Sequence, residues 1–163
     1  MDRNASIVLG EALKEVLEEK ILIFCIGTDK YIIDSLAPLL GSLLSDSGIL
    51  LQVFGTLDNP IHAENIEMRI KKINDKFPEY KIIAIDGCLG DEEEVGLIKL
   101  KQGAINPGAG VHKKLPSIGD YAIEVIIEKK EASEYLLKLP MRLRHIFKMG
   151  VVIRDAFKYA YSK

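Results

Sequence analysis

The 163 residues include 48% apolar and 28% charged side chains, the balance of an ordinary globular chain, which excludes disordered and collagen-like classes; no apolar run is long enough to span a bilayer. Lys and Arg number 22 against 24 Asp and Glu, and the formal net charge of −2 removes the broad attraction to phosphate backbones that a nucleic-acid partner would require. Two cysteines, Cys25 and Cys88, supply neither a disulfide scaffold nor a four-cysteine zinc site, so buried free thiols are expected. The length suits one domain over residues 1–163, and the acids among the first 19 residues argue against a secretory leader. The expectation is a cytoplasmic protein with no membrane and no nucleic-acid partner, and with a homo-oligomer left open.

Along the chain the apolar period alternates between helix and strand, the pattern of a βαβ protein. Residues 7–19 place Val8, Leu9, Ala12, Leu13, Val16 and Leu17 at helical spacing. A first strand follows over 21–26. Asp34 or Ser35 is expected to cap a helix carrying Leu36, Leu39, Leu40, Leu43 and Leu44, with Pro38 confined to its first turn. Ser47-Gly48 ends that helix, and 49–54 reads as a second strand. A third helix is expected over 61–76, stopped by Phe77-Pro78, and a third strand over 80–85 that ends at Asp86. After the acidic segment 91–94, which reads as a solvated turn, 95–100 forms a fourth strand. The stretch 103–119 is rich in Gly and Pro and holds Lys113 and Lys114, the mark of a functional or mobile loop. A last strand over 121–127 leads to helix over 132–161, broken near Pro140.

Two of these strands run into carboxylates. Right-handed crossovers place the first strand between the second and the third, so Asp34 and Asp86 face one crevice at the carboxyl ends of neighbouring strands, where open α/β sheets bind ligands. Paired acids can share a proton, one acting as acid while the other activates water, which is the chemistry of peptide or acyl hydrolysis. Two carboxylates with a histidine can instead hold a divalent metal, and His62 is the candidate. A purely structural account has Asp34 capping its helix, worth about 1 kcal/mol, and Asp86 bonded to the Gly87 turn. Thr28, Asp29, Asp58, His62 and Lys114 are further candidates for contact with a substrate or partner, each also readable as an ordinary surface turn. His145, flanked by Arg142, Arg144 and Lys148, reads as surface or interface rather than catalytic.

The run Phe24-Cys25-Ile26-Gly27-Thr28-Asp29-Lys30, continued by Asp34-Ser35-Leu36-Ala37-Pro38-Leu39-Leu40-Gly41, resembles the signature of the YyaC-type spore-protease family of sporulation proteins. Three more blocks match in the same order: Val53 through Asn65, Ile83-Ala84-Ile85-Asp86-Gly87-Cys88-Leu89-Gly90, and Asn106 through Pro116 with Gly119-Asp120. That family is similar in fold to the germination protease of spores and to the hydrogenase maturation endopeptidases. The resemblance implies an α/β/α domain with a mixed, mostly parallel five-stranded sheet, an aspartate pair at Asp34 and Asp86, and a protein or peptide substrate such as the small acid-soluble spore proteins. No resident cofactor is implied, although a divalent metal stays open because the hydrogenase peptidases sense nickel in the corresponding crevice. The chain departs from the pattern at Tyr31-Ile32-Ile33 and at Ala37, where small residues are expected, and at Glu128-Lys129-Lys130-Glu131-Ala132-Ser133, where glycines are. Branched side chains forbid a left-handed turn before Asp34, so a reshaped loop is expected there, and with it a non-catalytic, partner-binding alternative.

Overall fold

The computed structural model describes residues 3–17, 20–107, 115–130 and 141–162. The elements in chain order are α1 (Arg3–Val16), β1 (Ile21–Ile26), α2 (Leu36–Ser45), β2 (Gln52–Phe54), α3 (Ile66–Lys76), β3 (Lys81–Gly90), β4 (Ile98–Gln102), β5 (Tyr121–Lys129) and α4 (Leu143–Tyr161), with short 3₁₀ turns at Ile33–Ser35 and Glu92–Glu94. They build one mixed sheet in the order β2-β1-β3-β5-β4. β1 lies between β2 and β3, parallel to both, as the crossover rule requires. β3 and β5 are parallel, and only the edge strand β4 runs antiparallel. This is the βαβ arrangement that the alternating periods predict, with the mixed, mostly parallel five-stranded sheet that the resemblance implies.

All six residues of β1 are buried, as befits a parallel strand covered on both faces. Alternation along the strands sorts the core into two layers. Ile23, Cys25, Ile83, Ile85, Ile123 and Val125 meet α1, α2 and α4 on one face through Leu13, Leu36, Leu40, Ile153 and Phe157. Leu22, Phe24, Ile26, Ile82, Ala84 and Ala122 meet Ile61, Ile66 and Ile73 on the α3 side. Side chains of this size contribute about 1.5–3 kcal/mol each when fully buried, so these two layers supply most of the drive to fold. Among the described residues no helix is long and apolar enough to cross a membrane.

Several boundaries differ from the expected ones, each for a local reason. α1 starts four residues earlier than the period implies, because periodicity reports only the buried stripe of Leu9, Leu13 and Val16, whereas Val8 is 69% exposed. β2 is shorter: the Leu51 N–H donates to the Ile49 carbonyl, so the chain curls before the strand, and Leu50 is left 97% exposed. α3 begins five residues late. The Asn65 side chain accepts from the His62 N–H at 2.9 Å and donates to the Pro60 carbonyl at 3.1 Å, which holds 60–65 in a turn. β4 starts at Ile98, after a capped 3₁₀ turn led by Asp91 and a left-handed Gly96. β3 is longer and runs on to Gly90, because β5 continues to pair with it. The part of the last expected helix before residue 141 lies outside the described residues.

Candidate active site

Where β1 ends, the chain turns at Gly27. Its φ is 149°, and a Cβ there would lie 2.2 Å from the Asp34 carbonyl oxygen, a close approach of two backbones that only glycine permits. The Gly27 N–H donates to the Ile61 carbonyl at 2.8 Å and the Thr28 N–H to the Asp34 carbonyl at 3.0 Å, which folds segment 28–34 back over the end of β1. The last turn of this segment is right-handed. Ile32 has φ −55° and ψ −43°, the Asp34 N–H donates to Tyr31, and the Ser35 N–H donates to Ile32. The branched residues therefore reshape the loop into a 3₁₀ turn that needs no left-handed residue.

Neither Asp34 nor Ser35 caps α2 through its side chain, contrary to expectation: Ser35 is itself helical, and its hydroxyl donates backward to the Ile32 carbonyl at 2.6 Å. The Asp34 carboxyl is thus free of a capping role. Burial pushes it up to about 6, against the pull of the Thr28 N–H.

Asp86 reaches the same corner from a different element. It lies inside β3 rather than just beyond it, opposite Ile26 of β1 on one side and Glu124 of β5 on the other. Because β1 stops at Ile26, the sheet opens beside Asp86, and the Asp34 turn fills that opening closely enough for the two charges to interact. Burial first, then the negative charge of Asp34, and lastly that of Glu124, raise the Asp86 carboxyl well above the usual aspartate range; the Gly87 N–H pulls the other way. Two such groups cannot both ionise cheaply.

The remaining candidates are dispersed. Thr28 is half-buried, and its hydroxyl accepts from the Lys30 N–H at 3.3 Å, while Asp29 and Asp58 are exposed. The His62 ring is engaged with Asn65 and with the Glu64 N–H. Among the described residues no three His, Cys, Asp or Glu side chains are grouped as a metal would need, so a ligand role for His62 has no grouping behind it. Lys114 lies outside the described residues. Cys25 and Cys88 are free thiols, the first buried and the second half-buried.

Sequence reasoning missed Glu124. It is the one acid in the otherwise apolar Ala122-Ile123-Glu124-Val125-Ile126-Ile127, and that interruption was the available signal. The structure gives it Lys101 of β4 as a partner, at 2.5 Å.

A mixed sheet of this order, with a polar corner where β1 stops, is a fold that a solved structure shares. The chain is similar in structure to a NiFe hydrogenase maturation protease, HycI, from Thermococcus kodakarensis KOD1, with a TM-score of 0.58 and 15% identity over 90% of this chain and 99% of that one. At that identity the likeness is one of fold. In sequence it is 35% identical over 149 residues to the uncharacterized protein YyaC of Bacillus subtilis (strain 168), covering 91% of this chain and 73% of the relative. Residues 1–156 match the family described as protein of unknown function (DUF1256), and the chain belongs to that family.

Proposed function

We propose that the chain is an endopeptidase of sporulating cells in which Asp34 and Asp86 hydrolyse a peptide bond through one activated water. The observation that supports this is the meeting of two carboxyls at the open end of β1, Asp34 raised by burial and Asp86 by burial and by the charge of Asp34. Above about pH 6 the Asp34 carboxyl is ionised, whereas Asp86, facing two other carboxylates, is the one that keeps a proton. Asp34 then removes a proton from water as the oxygen attacks the carbonyl carbon. Asp86 donates its proton to the carbonyl oxygen, and collapse of the tetrahedral intermediate expels the amine with the proton held on Asp34. Nothing in this sequence is oxidised or reduced, and each carboxyl returns to its starting state once the product acid has lost its proton. The resemblance suggests small acid-soluble spore proteins as substrates and the cytoplasm as the place of action.

A second reading is a non-catalytic factor that binds a peptide or protein partner in the same crevice. Tyr31 and Ile32, 47% and 42% exposed beside Asp34, favour it, because apolar groups left in water are what a partner covers. Incubation of the purified protein with small acid-soluble spore proteins, followed by mass spectrometry, separates the two. Cleavage at a limited set of bonds supports the peptidase; intact substrate together with a retained complex that Asp34→Asn weakens supports the binding factor.

A further inference from the structure

The sheet register places Asp86 directly across from Glu124, two acids on neighbouring strands, and on the same face β4 brings up Lys99 and Lys101. Adjacent strands lie about 4.8 Å apart, so like charges set directly opposite repel and destabilise the pairing. Lys99 is the residue in register with Glu124, yet its ammonium is committed to Glu94 at 2.5 Å. Lys101, two residues along the strand, holds Glu124 at 2.5 Å. Both β4 cations are therefore engaged with other acids, and Glu124 is the acid of the sheet pair that carries a counterion.

From this arrangement we infer that Glu124, paired with Lys101 and directly across from Asp86, is a positioning residue that biases the shared proton toward Asp86 and so favours Asp34 as the base. The groups facing Asp86 are Asp34 from the 3₁₀ turn, Glu124 from β5, and on its own strand the Gly87 amide and the Cys88 thiol. Burial comes first in holding the proton on Asp86 and Glu124 adds to it, so without Glu124 the bias toward Asp86 would be smaller. The inference rests on the reading of the two aspartates as an acid and base pair, but its test needs no cleavage.

Carboxyl-carbon NMR of aspartate-labelled protein follows each titration directly, with Asp34→Asn and Asp86→Asn assigning the signals. Glu124→Gln is expected to move the Asp86 midpoint to lower pH, by less than Asp34→Asn does, and Glu124→Asp is expected to restore it. Lys101→Met, which removes the cation paired with Glu124, moves the midpoint the other way. An Asp86 titration unmoved by Glu124→Gln overturns the inference. If that variant fails to fold, the Lys101→Met shift decides, and its absence overturns the inference equally. A protein that never cuts but shows these shifts would refute the peptidase and leave the role of Glu124 standing, whereas cutting without them would do the reverse.

Discussion

Asp34 and Asp86 are the same side chain held by two different devices. Asp34 sits on a 3₁₀ turn, tied down by a few local hydrogen bonds and by the contact of Gly27 with its carbonyl. Asp86 sits inside β3 with a hydrogen-bonded strand on either side. A turn can be adjusted by its own residues and lets a carboxyl titrate near neutral pH. A strand interior holds its acid rigidly, but leaves it facing whatever the next strand presents at the same register, here a second acid. The chemistry proposed for the site needs both: a base that ionises and an acid that does not.

The largest expected effect falls on both members alike. Asp34→Asn and Asp86→Asn should each lower the rate of peptide cleavage by a factor of about 10² to 10⁴, the usual loss when one partner in proton transfer is removed. The double variant should be little worse than either single one, since residues that act as a unit fail together. Cleavage that persists in both would make the aspartates structural. Additive losses would show that they act independently, and the comparison of acid with base would fall.

The turn also has a dependence that the strand lacks. Gly27→Ala places a Cβ 2.2 Å from the Asp34 carbonyl oxygen at a backbone φ of 149°, so it should cost more than about 3 kcal/mol in chemical denaturation, or abolish folding. Gly48→Ala is the control: its φ of 76° is also left-handed, yet nothing lies within 4 Å of the added Cβ, and about 1 kcal/mol is expected. Equal costs would mean that the turn is not held by that approach.

How much of this was legible in the sequence differs between the two halves of the sheet. β1, β2 and β3 follow from apolar runs and right-handed crossovers, and the neighbourhood of Asp34 and Asp86 follows with them, because chain order and handedness suffice to make their strands adjacent. The β3-β5-β4 half is less legible. An apolar run marks where burial stops rather than where pairing stops, so the run predicts a strand ending at Ile85 whereas the pairing with β5 continues to Gly90. Glu124 is illegible for the same reason: its meaning lies in the register between strands distant in sequence, which no local pattern carries. The expected caps at Asp34 and Ser35 failed because a residue type suited to capping also suits a 3₁₀ turn, and the competing bond from Ser35 to Ile32 was invisible in one dimension.

The raised Asp34 carboxyl makes the fold depend on pH in a direction opposite to that of a salt-bridged acid. Its ordinary value is 3.8 and its folded value about 6, so folding favours the protonated form. The stabilisation is complete below about pH 4, is lost as pH rises toward 6, and is absent above it. At about 1.4 kcal/mol per unit the difference across this window is on the order of 2–3 kcal/mol. Asp34→Asn, which cannot ionise, should therefore be more stable than the wild type at pH 8 and close to it at pH 4.5, as read from urea midpoints at each pH. A variant less stable than the wild type at pH 8 would mean that the charge is stabilised where it sits, and the base assigned to the turn would lose its physical basis.

The smallest effect tests how the turn is held. Ser35 is 5% exposed, and its hydroxyl donates to the Ile32 carbonyl at 2.6 Å, an oxygen that also accepts from the Ser35 N–H. Ser35→Ala removes one of two bonds to that oxygen and leaves no buried donor unpaired, so the cost should be about 1 kcal/mol rather than the larger penalty of an orphaned polar group. Because the lost bond is local, amide exchange should quicken at Asp34 and Ser35 before it changes in β3, where Asp86 is held by pairing on both sides. If exchange rose equally in β3, the turn and the strand would open as one unit, and the two aspartates would not be held by separate devices.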